Sequence, residues 1–152
     1  MSAGPANNAH VFTLHRYYIW STLLKHHFQE SLGPPWFETK DGKTLWTDEG
    51  IQGFAYLSYW YAALNVVVEG WQKLGLHDPR VDELLDSPNV EHLKLYRHSV
   101  FHFHEDYFNV HLTMPLIESD ASPVAWVWSL SSELGRWFLG WFGSHTSGSK
   151  QA

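Results

Sequence analysis

The run Phe54-Ala55-Tyr56-Leu57-Ser58-Tyr59-Trp60-Tyr61-Ala62-Ala63-Leu64-Asn65-Val66-Val67-Val68 decides the fold. Apolar side chains at Phe54, Leu57, Tyr61, Leu64, Val68 and Trp71 recur at intervals of three and four, which lines them along one face of a helix. Ala55, Trp60, Ala62, Ala63, Val66 and Val67 make the other faces apolar as well, so this helix needs cover on more than one side. It reads as the central helix of a bundle or as a helix in a dimer interface. Thr47 before Asp48 and Glu49 is a cap followed by acids that suit the positive end of the helix dipole. Gly75 supplies the stop, so the helix is expected from 48 to about Leu74.

Working outward, Leu14, Tyr17, Leu24 and Phe28, with Ser21 in the gap, predict a first helix from about Asn8 to Leu32, ended by Gly33-Pro34-Pro35. Lys40-Asp41-Gly42-Lys43 is a turn signature that suits a short hairpin or ordered loop within 36–46. Asp78-Pro79 opens a short helical turn to Leu85. Ser87-Pro88 opens a third helix expected to end between His104 and Tyr107. Residues 105–120, with Pro115 near their middle, read as a connection with one short turn. Ser122-Pro123 opens a fourth helix, in which Val127, Leu130, Leu134, Trp137 and Trp141 keep helical spacing to Gly143. No strand alternation of useful length and no internal repeat is present. The expected fold class is all-α: a four-helix bundle formed by one domain over 9–143, with flexible tails at 1–8 and 144–152.

A chain of 152 residues, 44% hydrophobic and 16% aromatic, can bury a core of its own and is too apolar to be intrinsically disordered. The absence of cysteine excludes disulfides, thiolate metal sites and thiol catalysis, and makes a cytoplasmic setting the expectation. Residues 1–8 lack the basic and apolar regions of a secretory signal. The apolar run 54–68 falls short of the roughly 20 residues a membrane-spanning helix needs, so no membrane segment is expected. A formal net charge of −6 argues against broad electrostatic coating of nucleic acid, so any RNA contact must be local.

Chemistry concentrates in Leu93-Lys94-Leu95-Tyr96-Arg97-His98-Ser99-Val100-Phe101-His102-Phe103-His104-Glu105-Asp106. His98 and His102, four apart, share a helix face, while Arg97 lies about 140° around and about 7.5 Å along the axis from His102. Two imidazoles and a guanidinium suit phosphodiester chemistry: imidazole moves protons near neutral pH, and arginine stabilises charge on a pentavalent phosphate. Tyr96, His104 and Glu105 stand as supporting residues. In purely structural roles Arg97 would pair with Glu91, Glu105 or Asp106, and His102 would be a core histidine between Phe101 and Phe103.

Arg97-His98-Ser99-Val100-Phe101-His102 resembles Arg-polar-x-x-x-His, the signature of the HEPN superfamily, in which the residue after arginine is typically Asn, Asp or His. The segment 95–108 also resembles a small bacterial group bearing Arg-Asn-x-x-x-His followed by aromatic and acidic residues. The resemblance implies a homodimer that joins two copies of the motif across a cleft and acts as a metal-independent endoribonuclease of the toxin or RNA-defence type. His102 would then be general acid or base, Arg97 would stabilise the transition state, and His98 would take the supporting polar position. An antitoxin or nucleotidyltransferase would be a natural partner.

Two other classes compete. In one, the chain is a non-catalytic helical interaction module whose aromatic faces bind a partner or build an oligomer. In the other, His98, His102, His104, Glu105 and His111 hold a metal in a small helical bundle. Against a metal, His98-x-x-x-His102 lacks the Glu of the zinc-protease pattern, and no Glu-x-x-His pair is present, so no metal or cofactor is expected. The clusters Tyr59-Trp60-Tyr61, Trp126-x-Trp128 and Trp137-Phe138-x-x-Trp141-Phe142 suit core packing better than base stacking, because only Arg136 brings a basic residue among them.

Overall fold

The computed structural model describes residues 7–106, 114–116 and 121–146. Among the described residues, five α-helices and one hairpin follow in chain order: α1 Asn8–Glu30, β1 Phe37–Lys40, β2 Lys43–Trp46, α2 Asp48–Lys73, α3 Pro79–Leu85, α4 Asn89–Phe101 and α5 Ala121–Thr146, with a 3₁₀ turn at Met114–Leu116. The chain is therefore mostly helical, as its periodicity requires.

α2 is the central element, packed against both α1 and α4. Leu57, Trp60, Tyr61, Leu64, Val67, Val68 and Trp71 are all buried, so both the stripe and part of its flanks are covered. They join Val11 and Leu14 of α1, Leu93 and Tyr96 of α4, and Val127, Leu130, Leu134 and Phe138 of α5 in one core cluster. Trp60 ties three helices together, its ring 5.6 Å from Phe28 of α1 and 5.1 Å from Trp128 of α5.

The hairpin forms where Asp41 (φ 52°) and Gly42 (φ 71°) both take positive φ, as a two-residue primed turn requires. Trp36, just before it, anchors the hairpin to the start of α2: its indole N–H donates to Ser31 O at 3.0 Å and its carbonyl accepts from Thr47 N at 2.9 Å. Contact is so close that a Cβ at Gly50 would strike the Trp36 backbone, and one at Gly53 would strike the Trp36 ring. Gly53→Ala is accordingly expected to cost about 1–3 kcal/mol by overpacking, measured as a lowered urea midpoint, whereas Gly33→Ala, which meets open space, is expected to be tolerated.

Polar contacts hold α3 and its cap to α5, among them the Arg80–Glu133 ion pair at 3.7 Å. Asp78 caps α3 through Arg80 N and Val81 N and receives Arg136 of α5 at 2.6 Å, and Trp126 Nε1 donates to Leu84 O at 2.9 Å. Burial pushes the Asp78 carboxyl up, but the hydrogen bonds from Val81 N–H and Arg136 outweigh it and hold the group below the usual carboxylate range.

Two helix ends differ from expectation. α4 stops at Phe101, with His102 extended (φ −119°, ψ 138°), earlier than the expected end between His104 and Tyr107, and neither glycine nor proline in Phe101-His102-Phe103-His104 marks the stop. α5 runs on to Thr146, where His145 stacks on Trp141 with ring centres 4.2 Å apart, so residues 144–146 are helical rather than tail. The 3₁₀ turn at Met114–Leu116 is the short turn expected within 105–120, and its Leu116 is buried in the core. Of the tails expected at 1–8 and 144–152, Asn7 and Asn8 instead cap and open α1, while residues 1–6 and 147–152, the connection over 107–113 and 117–120, and His111 lie outside the described residues. Among the described residues no helix is long and apolar enough to cross a membrane.

Candidate functional site

α4 buries Leu93 and Tyr96 three positions apart, and this orientation turns Lys94, Arg97 and His98 toward a groove of about 340 Å³ between α2 and α4. His102 joins them although it lies past the helix end: its N–H still donates to His98 O at 3.2 Å, and its ring packs against that of His98. The His98 and His102 ring centres are 4.3 Å apart at a tilt of 36°. Arg97, His98 and His102 therefore line one cavity, with His102 placed past the end of α4 and not on a continuous helix.

The groove also contains Glu69 of α2, whose carboxylate accepts from Arg97 Nη1 at 2.7 Å. Arg97 thus pairs with neither Glu91, Glu105 nor Asp106 but with a residue 28 positions earlier. Both partners are more than one third exposed, so the pair contributes only about 0–1 kcal/mol. A phosphodiester could take over the guanidinium at little cost. Glu69 carried a readable signal, as the sole charged residue between Glu49 and Lys73 in an apolar helix. Lys94 was readable too, one turn before Arg97 and His98.

The supporting residues separate. His104 is half-buried with its ring centre 5.7 Å from that of His98, and its Nε2 is buried without a hydrogen-bond partner among the described residues. Glu105 is exposed and does not line the groove. Tyr96 is fully buried and its hydroxyl meets Ser58 Oγ at 3.1 Å, so it braces α4 against α2 from the core side. Among the described residues no group of three His, Asp or Glu side chains is placed to hold a metal ion.

Burial pushes the Tyr96 hydroxyl up to about 12, although the Ser58 hydrogen bond works against it; burial also raises Tyr61, with Tyr96 adding to the effect. Their rings are 5.1 Å apart. In the unfolded chain both phenols ionise near pH 10, while in the folded chain they keep their protons. The stability they confer is complete below pH 10 and is lost as pH rises from 10 toward 12, at about 1.4 kcal/mol per pH unit for each group. Denaturant midpoints measured from pH 8 to 12 should therefore hold and then fall, and Tyr96→Phe should flatten the fall while costing about 1 kcal/mol at neutral pH for the lost Ser58 bond.

Compared with protein-family models, with curated proteins and with solved structures, the chain shows no match. What the groove does must be argued from its own chemistry.

Proposed function

We propose that the chain is a metal-independent endoribonuclease of the HEPN type, working as a homodimer with the Arg97–His98–His102 groove as its active site. The observation that carries this reading is that two imidazoles 4.3 Å apart and a guanidinium share one solvent-open cavity. One imidazole takes the proton from a ribose 2′-hydroxyl, whose oxygen attacks the adjacent phosphorus. The other gives a proton to the departing 5′-oxygen, leaving a 2′,3′-cyclic phosphate and a 5′-hydroxyl. Arg97, released from Glu69, neutralises the extra negative charge on the pentavalent phosphate. Excess EDTA should leave cleavage of a labelled RNA pool unchanged, and RNA that stays intact under those conditions would refute the reading.

Support for the dimer comes from apolar groups beside the groove. Phe103 is 93% exposed, Phe101 57% and Tyr59 49%, with Tyr59 and Phe101 in ring contact at 6.1 Å. Isolated exposed aromatics are common, but three at one end of a polar groove fit a surface that a second copy covers. Phe103→Glu is expected to shift the protein from dimer to monomer in analytical ultracentrifugation at micromolar concentration without changing its helical circular dichroism. A wild-type protein that is monomeric at that concentration would refute the composite site.

A second reading, a non-catalytic helical interaction module, is favoured by the Arg97–Glu69 pair itself, which occupies the guanidinium without any substrate. In that case Arg97 and the histidines form a polar cluster and the exposed aromatics bind a partner protein. The EDTA assay separates the two, because the module leaves RNA intact.

A further inference from the structure

A larger cavity, of about 540 Å³, lies between α1 and α2, and Glu69 belongs both to its wall and to that of the histidine groove. Its floor is apolar. Leu14 is almost fully buried there and sits where a Cβ on Gly70 would be, so the two helices approach closely and the floor is fixed. Tyr17 lines the α1 side, and Lys73 stands exposed on the α2 side.

At the edge of this cavity the Arg16 guanidinium lies 5.0 Å from the ring centres of both Tyr17 and Trp20, and those rings meet edge to face at 5.4 Å. Trp20 is half exposed. Among the described residues neither Arg16 nor Lys73 has a carboxylate within ion-pair distance. With Lys94 and Arg97 in the adjoining groove, four of the ten Lys and Arg residues of a chain with net charge −6 gather around these two cavities. The acids present are already engaged: Glu69 accepts from Arg97, and Glu91 lies 3.9 Å from Lys94. Aromatic faces interleaved with cations are the features that hold unpaired bases and their phosphates. Elsewhere among the described residues Lys25 Nζ lies 5.4 Å from the Trp128 ring centre, but neither residue lines either cavity.

We propose that the α1–α2 cavity is a base-stacking subsite for single-stranded RNA. A base next to the scissile phosphate lies against Tyr17, the following base stacks on Trp20 beside Arg16, and Lys73 meets the phosphate between them. The proposal rests on the ribonuclease reading for the adjoining groove and adds to it the feature that chooses where the strand is cut.

The test uses the full chain with two ten-nucleotide fluorescein-labelled probes. A fully 2′-O-methylated RNA, which cannot undergo 2′-hydroxyl attack, reports binding by anisotropy; the unmodified RNA reports cleavage. Trp20→Ala and Tyr17→Ala are each expected to weaken binding of the methylated probe roughly 5- to 100-fold, with Tyr17→Phe restoring the wild-type affinity because it keeps the ring. Lys73→Ala is expected to reduce the slope of log affinity against log salt by about 0.7. Trp20 is exposed enough that its removal leaves the fold intact, which circular dichroism checks. Unchanged affinity in Trp20→Ala and Tyr17→Ala, with RNA still cleaved, overturns the subsite and leaves the ribonuclease reading standing. Weakened binding in both variants without any cleavage by the wild type supports the subsite and removes the nuclease. Failure of the wild type to bind the methylated probe overturns the subsite.

Discussion

His102→Ala and Arg97→Ala are each expected to abolish most RNA cleavage while leaving the fold in place. Removing an imidazole that moves a proton in the transition state lowers the rate by about 10²- to 10⁴-fold. Removing a positive group placed where charge develops costs about 10²- to 10³-fold. Neither loss can be confused with unfolding. His102 is exposed and lies beyond the end of α4, and the Arg97–Glu69 pair is open to solvent and contributes about 0–1 kcal/mol. Single-turnover rates on a defined RNA, with urea midpoints measured beside them, check both halves of the expectation. A His102→Ala protein that keeps wild-type rates would remove the imidazole pair from the mechanism, whatever Arg97 does.

The largest effect on stability is expected at Trp60. Its side chain is fully buried and touches Phe28, Tyr61 and Trp128, so it bridges α1, α2 and α5. Its indole N–H has no hydrogen-bond partner among the described residues, so what its removal forfeits is packing. Trp60→Ala should cost about 3–5 kcal/mol, a large part of the 5–15 kcal/mol that a domain of this size possesses. Denaturant unfolding followed by circular dichroism measures it. Leu139→Ala on α5, with its side chain 78% exposed, should change stability by less than about 0.5 kcal/mol in the same experiment.

The sequence made the central helix readable because its periodicity is a local property. Leu57, Tyr61, Leu64, Val68 and Trp71 are buried as their spacing requires, and Trp60 and Val67 show why the flanks had to be apolar. The hairpin was readable from Asp41-Gly42 for the same reason: few residues other than these accept paired positive φ. The end of α4 was not readable, since Phe101 to His104 contains no residue that forbids helix, yet the backbone turns extended at His102. The Arg97–Glu69 pair was hidden by its 28-residue separation, which no i,i+3 or i,i+4 rule reaches. Arg16, Tyr17 and Trp20 were hidden in a different way. On the helical repeat Tyr17 counts as a core position, and only the gap left between α1 and α2 shows that its ring lines an open cavity.

The electrostatics of the chain follow the same division. A net charge of −6 gives no attraction for RNA when averaged over the surface, yet Lys73 of α2 and Lys94 and Arg97 of α4 line the two adjoining cavities. Under the proposed function, this local placement, which composition cannot express, is what reconciles a polyanionic substrate with an acidic protein.

The central claim is that Arg97, His98 and His102 form a metal-independent RNA-cleaving site, and mass spectrometry of RNA ends produced in excess EDTA tests it most directly. Wild-type protein is expected to yield 2′,3′-cyclic phosphate and 5′-hydroxyl ends, with Arg97→Ala and His102→Ala leaving the RNA uncut. Intact RNA with the wild type, 3′-hydroxyl ends, or equal cutting by all three proteins would contradict it.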